Sequence, residues 1–154
     1  MEKIVKKLID LNKTISTMES CTGGLIANEI TNIENSSSIF KFGAVTYSNE
    51  YKIKMGVDKE IIDKYTVYSK ETADEMSKKI SDYTNSNYGI GITGKLNKSD
   101  PNNITEIDNI VYISIYNKDE NKFYNEELYV NKENRSENKA LIKEIIIKML
   151  NKIL

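Results

Sequence analysis

Thr14-Ile15-Ser16-Thr17-Met18-Glu19-Ser20-Cys21-Thr22-Gly23-Gly24-Leu25 changes character in its middle. The residues up to Met18 have the composition of a strand, and Leu25 to Ile33 place apolar residues at helical spacing. Glu19 to Gly24 therefore occupies a strand-to-helix turn. Glycine admits the strained backbone angles of such a turn, and the free N–H groups of the first helical turn face whatever fills the pocket, an oxyanion or a phosphate. Ser20 stands there as a candidate nucleophile.

Outward from this turn, helical and strand patterns alternate. Glu2 to Leu11 carries Ile4, Val5, Leu8 and Ile9 on one face, an amphipathic opening helix. After the polar loop Ser36 to Ser38, Ile39 to Tyr47 reads as a strand running into Ser48-Asn49-Glu50, a polar and turn-like segment. Asp58 caps a short helix through Lys64, and Ser69 caps a longer one through about Tyr83 with Thr72, Ala73, Met76 and Ile80 inward. Tyr88 to Ile92 is a short strand ending at Thr93-Gly94. A polar loop with the only proline, Pro101, leads to about Asn109. Ile110 to Tyr116 and Phe123 to Val130 form a hairpin, and a last helix from about Ser136 buries Leu141, Ile142, Ile145, Ile146, Met149 and Leu150. This order predicts a three-layer α/β/α domain with a mixed, mostly parallel sheet and a late antiparallel hairpin.

At 154 residues the chain is expected to form one domain, residues 1–154, with a core of its own. Acidic and basic residues nearly cancel, 23 against 22, so no nucleic-acid or membrane partner is advertised and any anion site must be local. No apolar run approaches the ~20 residues of a membrane span. The single cysteine, Cys21, excludes an internal disulfide and agrees with a reducing compartment, so a cytoplasmic location is expected. With no histidine, a zinc site of the usual ligands cannot be assembled, and no compact acidic cluster argues for magnesium. No metal and no cofactor are expected.

A serine hydroxyl needs a neighbouring base, which in a chain without histidine leaves lysine, a carboxylate or tyrosine. Lysine is the base with precedent, and its pKa must then fall from ~10.4 to ~7–8, which only burial or a nearby cation achieves. Lys52, just past the strand end Val45-Thr46-Tyr47, is the best placed, with the Tyr47 phenol on the same rim. Each residue has a plainer reading too. Ser20 can be a helix N-cap, Lys52 a solvated turn lysine, Tyr47 a half-buried strand tyrosine, and Cys21 a small buried residue rather than a thiolate nucleophile. Arg135, the only arginine, suits a phosphate or a surface bridge to Glu133 or Glu137.

Thr17-Met18-Glu19-Ser20-Cys21-Thr22-Gly23-Gly24-Leu25-Ile26, followed by Gly43-Ala44-Val45-Thr46-Tyr47-Ser48-Asn49-Glu50-Tyr51-Lys52 and Gly56-Val57, resembles the CinA carboxy-terminal domain family, which includes the nicotinamide mononucleotide deamidases. The resemblance runs from about Ser16 to Gly94 and returns in the late strands and Arg135. It implies a metal-independent amidohydrolase that converts nicotinamide mononucleotide to nicotinate mononucleotide and ammonia. Ser20 would be its nucleophile, Lys52 the base, and Tyr47 an aid to proton transfer. It further implies a substrate site around Glu19, Cys21, Thr22, Gly23, Gly24, Thr93, Gly94 and Arg135, with the oxyanion on the backbone of 21–24 and the phosphate on Arg135. A small-molecule pyridine nucleotide is the expected partner, and a homo-oligomer the expected assembly.

The chain departs from that family in places. Where the family continues past Thr93-Gly94 through a glycine-rich loop, this chain reads Lys95-Leu96-Asn97-Lys98-Ser99-Asp100-Pro101-Asn102-Asn103. Lys95 and Lys98 there offer charge in place of backbone donors. Phe42 and Asn109 also stand where the family tends to have glycine. The altered loop keeps a second reading open, a catalytically silent nucleotide-binding or regulatory member of the same family.

Overall fold

α1 (Glu2–Asp10) turns Ile4, Val5 and Leu8 inward, and the chain then enters β1 (Ile15–Glu19), which is buried along its whole length. The computed structural model describes residues 1–97 and 108–154. After β1 come α2 (Leu25–Thr31), β2 (Phe40–Val45), α3 (Asn49–Lys54), α4 (Lys59–Tyr65), α5 (Lys70–Thr84) and β3 (Tyr88–Gly94). The chain closes with β4 (Ile110–Asn117), β5 (Lys122–Tyr129) and α6 (Arg135–Ile153). The five strands form one sheet in the order β2-β1-β3-β4-β5. β1 pairs in parallel with β2 and β3, while β3–β4 and β4–β5 are antiparallel, so the expected mixed sheet with a late hairpin is present.

Helices cover both faces. α1, α2 and α6 pack on one through Ile4, Val5, Leu8, Ile26, Ile30, Ile142, Ile146 and Leu150, against Ile15, Ile90, Ile92, Val111, Ile113 and Ile115. On the other, Met18 joins Val57, Ile62, Val67, Met76 and Ile80 beneath α4 and α5. Small residues set the approach of α5. A Cβ on Gly91 would collide with the Ala73 carbonyl and lie 2.6 Å from Ser77 N, so helix backbone rests directly on β3. Ser77 and Ser114 meet at 3.0 Å under the same helix.

α3 was not expected: Ser48-Asn49-Glu50 reads as a turn, yet it starts a helix. The Ser48 hydroxyl accepts from Tyr51 N at 3.3 Å as an N-cap, and Glu50 lies in the first turn, where a negative charge suits the helix dipole. β2 stops at Val45, leaving Thr46 and Tyr47 outside the strand. Arg135 is the first residue of α6 rather than a residue before it, with Asn134 as cap. Asn109 has φ 60, a left-handed conformation that asparagine tolerates best after glycine. Of the altered loop, Lys98 and its neighbours through residue 107 lie outside the described residues.

The topology fixes where a site can form. The β1–β2 crossover carries α2 on one face and the β2–β3 crossover carries α4 and α5 on the other, with β1 between the strands they deliver. Such a switch point opens a crevice at the carboxyl ends of the strands. Ser20, Thr46 and Gly94 to Leu96 all lie there.

Candidate active site

Ser20 follows the last residue of β1 and is tied down on both sides. Its N–H donates to the Ile92 carbonyl of β3 at 3.1 Å, and its own carbonyl accepts from Gly23 N at 3.0 Å. Lys52 approaches from α3. Its side chain is 2% exposed, and Nζ donates to Ser20 Oγ at 3.1 Å and to the Thr46 carbonyl at 2.8 Å. The structure thus brings together the two residues whose pairing the sequence left open. Lys52 is no solvated turn residue: α3 turns it inward while Tyr51 and Ile53 face out.

Beneath the turn lies the Glu19 carboxylate, with no exposed surface. Oε2 accepts from Thr22 Oγ1 (2.7 Å), Gly24 N (3.1 Å) and Ile26 N (3.2 Å), and Oε1 from Ala27 N (2.9 Å). The expectation that the first helical turn offers free donors to a ligand is therefore corrected. Those donors already hold a built-in anion. Gly24 caps α2 at φ 93, a conformation open to glycine, and this bends the chain back over Glu19. Among the described residues, no carbonyl or side-chain oxygen accepts from the N–H of Cys21 or Thr22. Of the uncommitted amides in this turn, these two follow Ser20 directly in the chain.

Cys21 is buried, and burial pushes its thiol up to about 12, against the downward pull of Lys52 and Arg135 and a backbone hydrogen bond. It is a protonated core residue, not a thiolate nucleophile. Thr22 and Thr93 are buried with their hydroxyls committed, to Glu19 Oε2 and to the Val67 carbonyl at 2.8 Å. Gly94 is pressed against β4, where a Cβ would lie 2.5 Å from the Ile110 carbonyl. Glu19, Thr22, Thr93 and Gly94 shape the crevice from behind, whereas Gly23 is exposed on its rim.

Arg135 reaches across from α6. Nη1 donates to the Leu96 carbonyl at 2.6 Å and Nη2 to the Tyr47 hydroxyl at 3.2 Å. Among the described residues no salt bridge joins Arg135 to Glu133 or Glu137, and its guanidinium goes to Leu96 and Tyr47 instead. Tyr47, 65% exposed, meets Arg135 at the rim, and its hydroxyl has no described bond to Ser20 or Lys52. Asn97 Oδ1 accepts from Asn138 Nδ2 at 3.2 Å, which holds the segment after β3 against α6. Lys95 is buried, with Nζ 3.1 Å from Asp108 and over the Tyr68 ring.

Three contributors were missed from sequence. The Leu96 carbonyl, like the Thr46 carbonyl, leaves no trace in residue type. Lys139 did leave one, standing a helical turn beyond Arg135, and a Cβ on Gly23 would lie 3.2 Å from its Nζ.

A buried serine and lysine in contact at the switch point of a mixed sheet, below a turn with spare amide donors, define an α/β domain with a Ser–Lys centre. The chain belongs to the CinA C-terminal domain family, whose profile matches residues 1–154. A competence-damage inducible protein of Clostridium botulinum (strain Langeland) is 40% identical over 147 residues, covering 95% of this chain and 34% of that protein. One from Clostridium kluyveri is 43% identical over 124 residues, 79% of this chain and 30% of the relative. The chain spans about a third of the length of these curated relatives. Its fold is that of the crystal structure of a competence-damaged protein (CinA) superfamily protein from Escherichia coli, with a TM-score of 0.88 at 21% identity over 99% of this chain and 90% of that one. A competence/damage inducible protein from Agrobacterium tumefaciens gives 0.81 at 26% identity, over 96% and 94%. Among the described residues, no helix is long and apolar enough to cross a membrane.

Proposed function

We propose that this domain is a Ser–Lys amidohydrolase that opens the carboxamide of nicotinamide mononucleotide, giving nicotinate mononucleotide and ammonia. The observation that carries the chemistry is the buried contact of Lys52 Nζ with Ser20 Oγ at 3.1 Å. A lysine works as a base only when neutral, and only a buried lysine comes near that condition. The substrate rests on the family resemblance, supported by an arginine held at the rim with its planar fork already oriented.

In this reading Ser20 Oγ attacks the carboxamide carbon while Lys52 takes its proton. The oxyanion settles on the N–H groups of Cys21 and Thr22, where one such donor is worth about 3–4 kcal/mol in other hydrolases. Lys52 then gives the proton to the amide nitrogen, the C–N bond breaks and ammonia leaves. Water attacks the acyl ester, Lys52 accepts its proton and returns it to Ser20, and the acid is released. Arg135 turns its remaining N–H groups to the phosphate, and Tyr47 steadies the guanidinium.

The test is ammonia release from nicotinamide mononucleotide by purified protein and by Ser20→Ala. The expected loss is on the order of 10⁴-fold or more with nucleotide binding retained. No release from folded wild-type protein that still binds the nucleotide would refute the enzyme and favour a silent nucleotide-binding member of the family.

A further inference from the structure

Thr46 sits between the nucleophile and its base with its backbone fully used. Its N–H donates to the Glu19 carbonyl at 2.8 Å, and its carbonyl accepts from Lys52 Nζ at 2.8 Å. The side chain is the anomaly. Thr46 is 2% exposed, yet its hydroxyl has no hydrogen-bond partner among the described residues. Buried hydroxyls are rarely left so unless a small polar molecule completes them. The backbone gives its place: the Thr46 carbonyl takes Lys52 Nζ at 2.8 Å, and the same Nζ lies 3.1 Å from Ser20 Oγ, so the residue stands beside the Ser20–Lys52 pair.

We propose that the Thr46 hydroxyl is the contact point of the leaving nitrogen and then of the water that replaces it. The inference rests on the Ser–Lys amidohydrolase reading and adds a specificity element to it. By microscopic reversibility, water attacks the acyl ester along the path by which ammonia departed, so one small polar site serves both half-reactions. In the first, Thr46 Oγ1 accepts an N–H of the carboxamide, which turns the nitrogen toward the proton on Lys52. In the second, it accepts an O–H of water and aims the other toward Lys52. A primary amide has the hydrogen this needs, and an ester has none at that position.

Thr46→Val removes the hydroxyl at nearly constant shape, and Thr46→Ser keeps it. For nicotinamide mononucleotide, Thr46→Val is expected to lower kcat roughly 10- to 100-fold with KM little changed, and Thr46→Ser to recover most of the loss. With p-nitrophenyl acetate, the burst that acylates Ser20 should keep its rate in Thr46→Val while the following deacylation slows by the same factor. Amide turnover and deacylation within twofold of wild type would overturn the proposal, as would equal loss of burst and turnover without rescue by serine. A crystal structure separates this from the parent reading. A water on Thr46 Oγ1 that disappears in Thr46→Val supports the site even if wild type releases no ammonia, and a hydroxyl bonded to protein instead overturns it.

Discussion

Replacing Glu19 by glutamine tests whether the buried carboxylate is a structural anion or a ligand contact. Its Oε2 holds three donors and Oε1 one, the Ala27 N–H at 2.9 Å. A glutamine keeps the most bonds with its carbonyl oxygen in the Oε2 position. The three bonds there lose their ionic character, at about 1 kcal/mol each. The amino group then faces the Ala27 N–H donor to donor, and that orphaned buried group costs about 1–3 kcal/mol. Relief of the desolvation of a buried charge offsets part of this, leaving about 3 kcal/mol net. In a domain of this size that is a fall in Tm of about 6–12 °C. Urea denaturation should show a lower midpoint at unchanged slope. A loss under 1 kcal/mol, or weakened nucleotide binding at wild-type stability, would refute the capping role and return Glu19 to the substrate.

Three further outcomes are expected. Because burial raises the Cys21 thiol from 9.0 to about 12, the folded chain keeps a proton that the unfolded chain releases. Stability therefore falls as pH rises from 9 toward 12, by at most about 4 kcal/mol, and Cys21→Ala flattens that part of the curve in urea melts at pH 8 and 10.5. Gly91→Ala puts a methyl into the backbone of α5 and should cost about 3 kcal/mol, whereas Gly56→Ala, at φ +96 but 3.6 Å from the nearest atom of the Lys79 side chain, should cost about 1. The reverse order in denaturation would contradict the close approach of α5 to β3. Arg135→Lys loses the fork that spans Leu96 and Tyr47, so KM for a phosphate-bearing substrate should rise about 10- to 100-fold with kcat nearly constant; a change in kcat alone would place Arg135 at the reaction centre.

The sheet was readable from Ile15 to Met18, Tyr88 to Ile92 and the late hairpin because strand composition and turn chemistry agree there. α3 was not, because its pattern is inverted: Tyr51 and Ile53 face water and Lys52 faces in. Apolar periodicity assumes the opposite, so a helix built to bury a lysine looks like a turn. Ser20 and Lys52 were nameable as candidates, but their contact depends on β2 lying beside β1, which no local signal states. Glu19 entered the substrate site only through the family resemblance, and the structure turns its carboxylate to amides further along the chain, at Gly24, Ile26 and Ala27.

That buried carboxylate bears on when the site acquires its shape. In an anion site at a helix N-terminus, the ligand itself completes the amides and settles the loop, so affinity carries the entropy of ordering it. Here Glu19 completes them as the chain folds. The amides of Gly24, Ile26 and Ala27 are thus already shielded in the folded domain, and under the proposed function they stand to gain little hydrogen-exchange protection from a bound nucleotide. The turn behaves as a fixed template, and under the proposed function the ordering that accompanies binding falls on the exposed side chain of Tyr47 rather than on the turn.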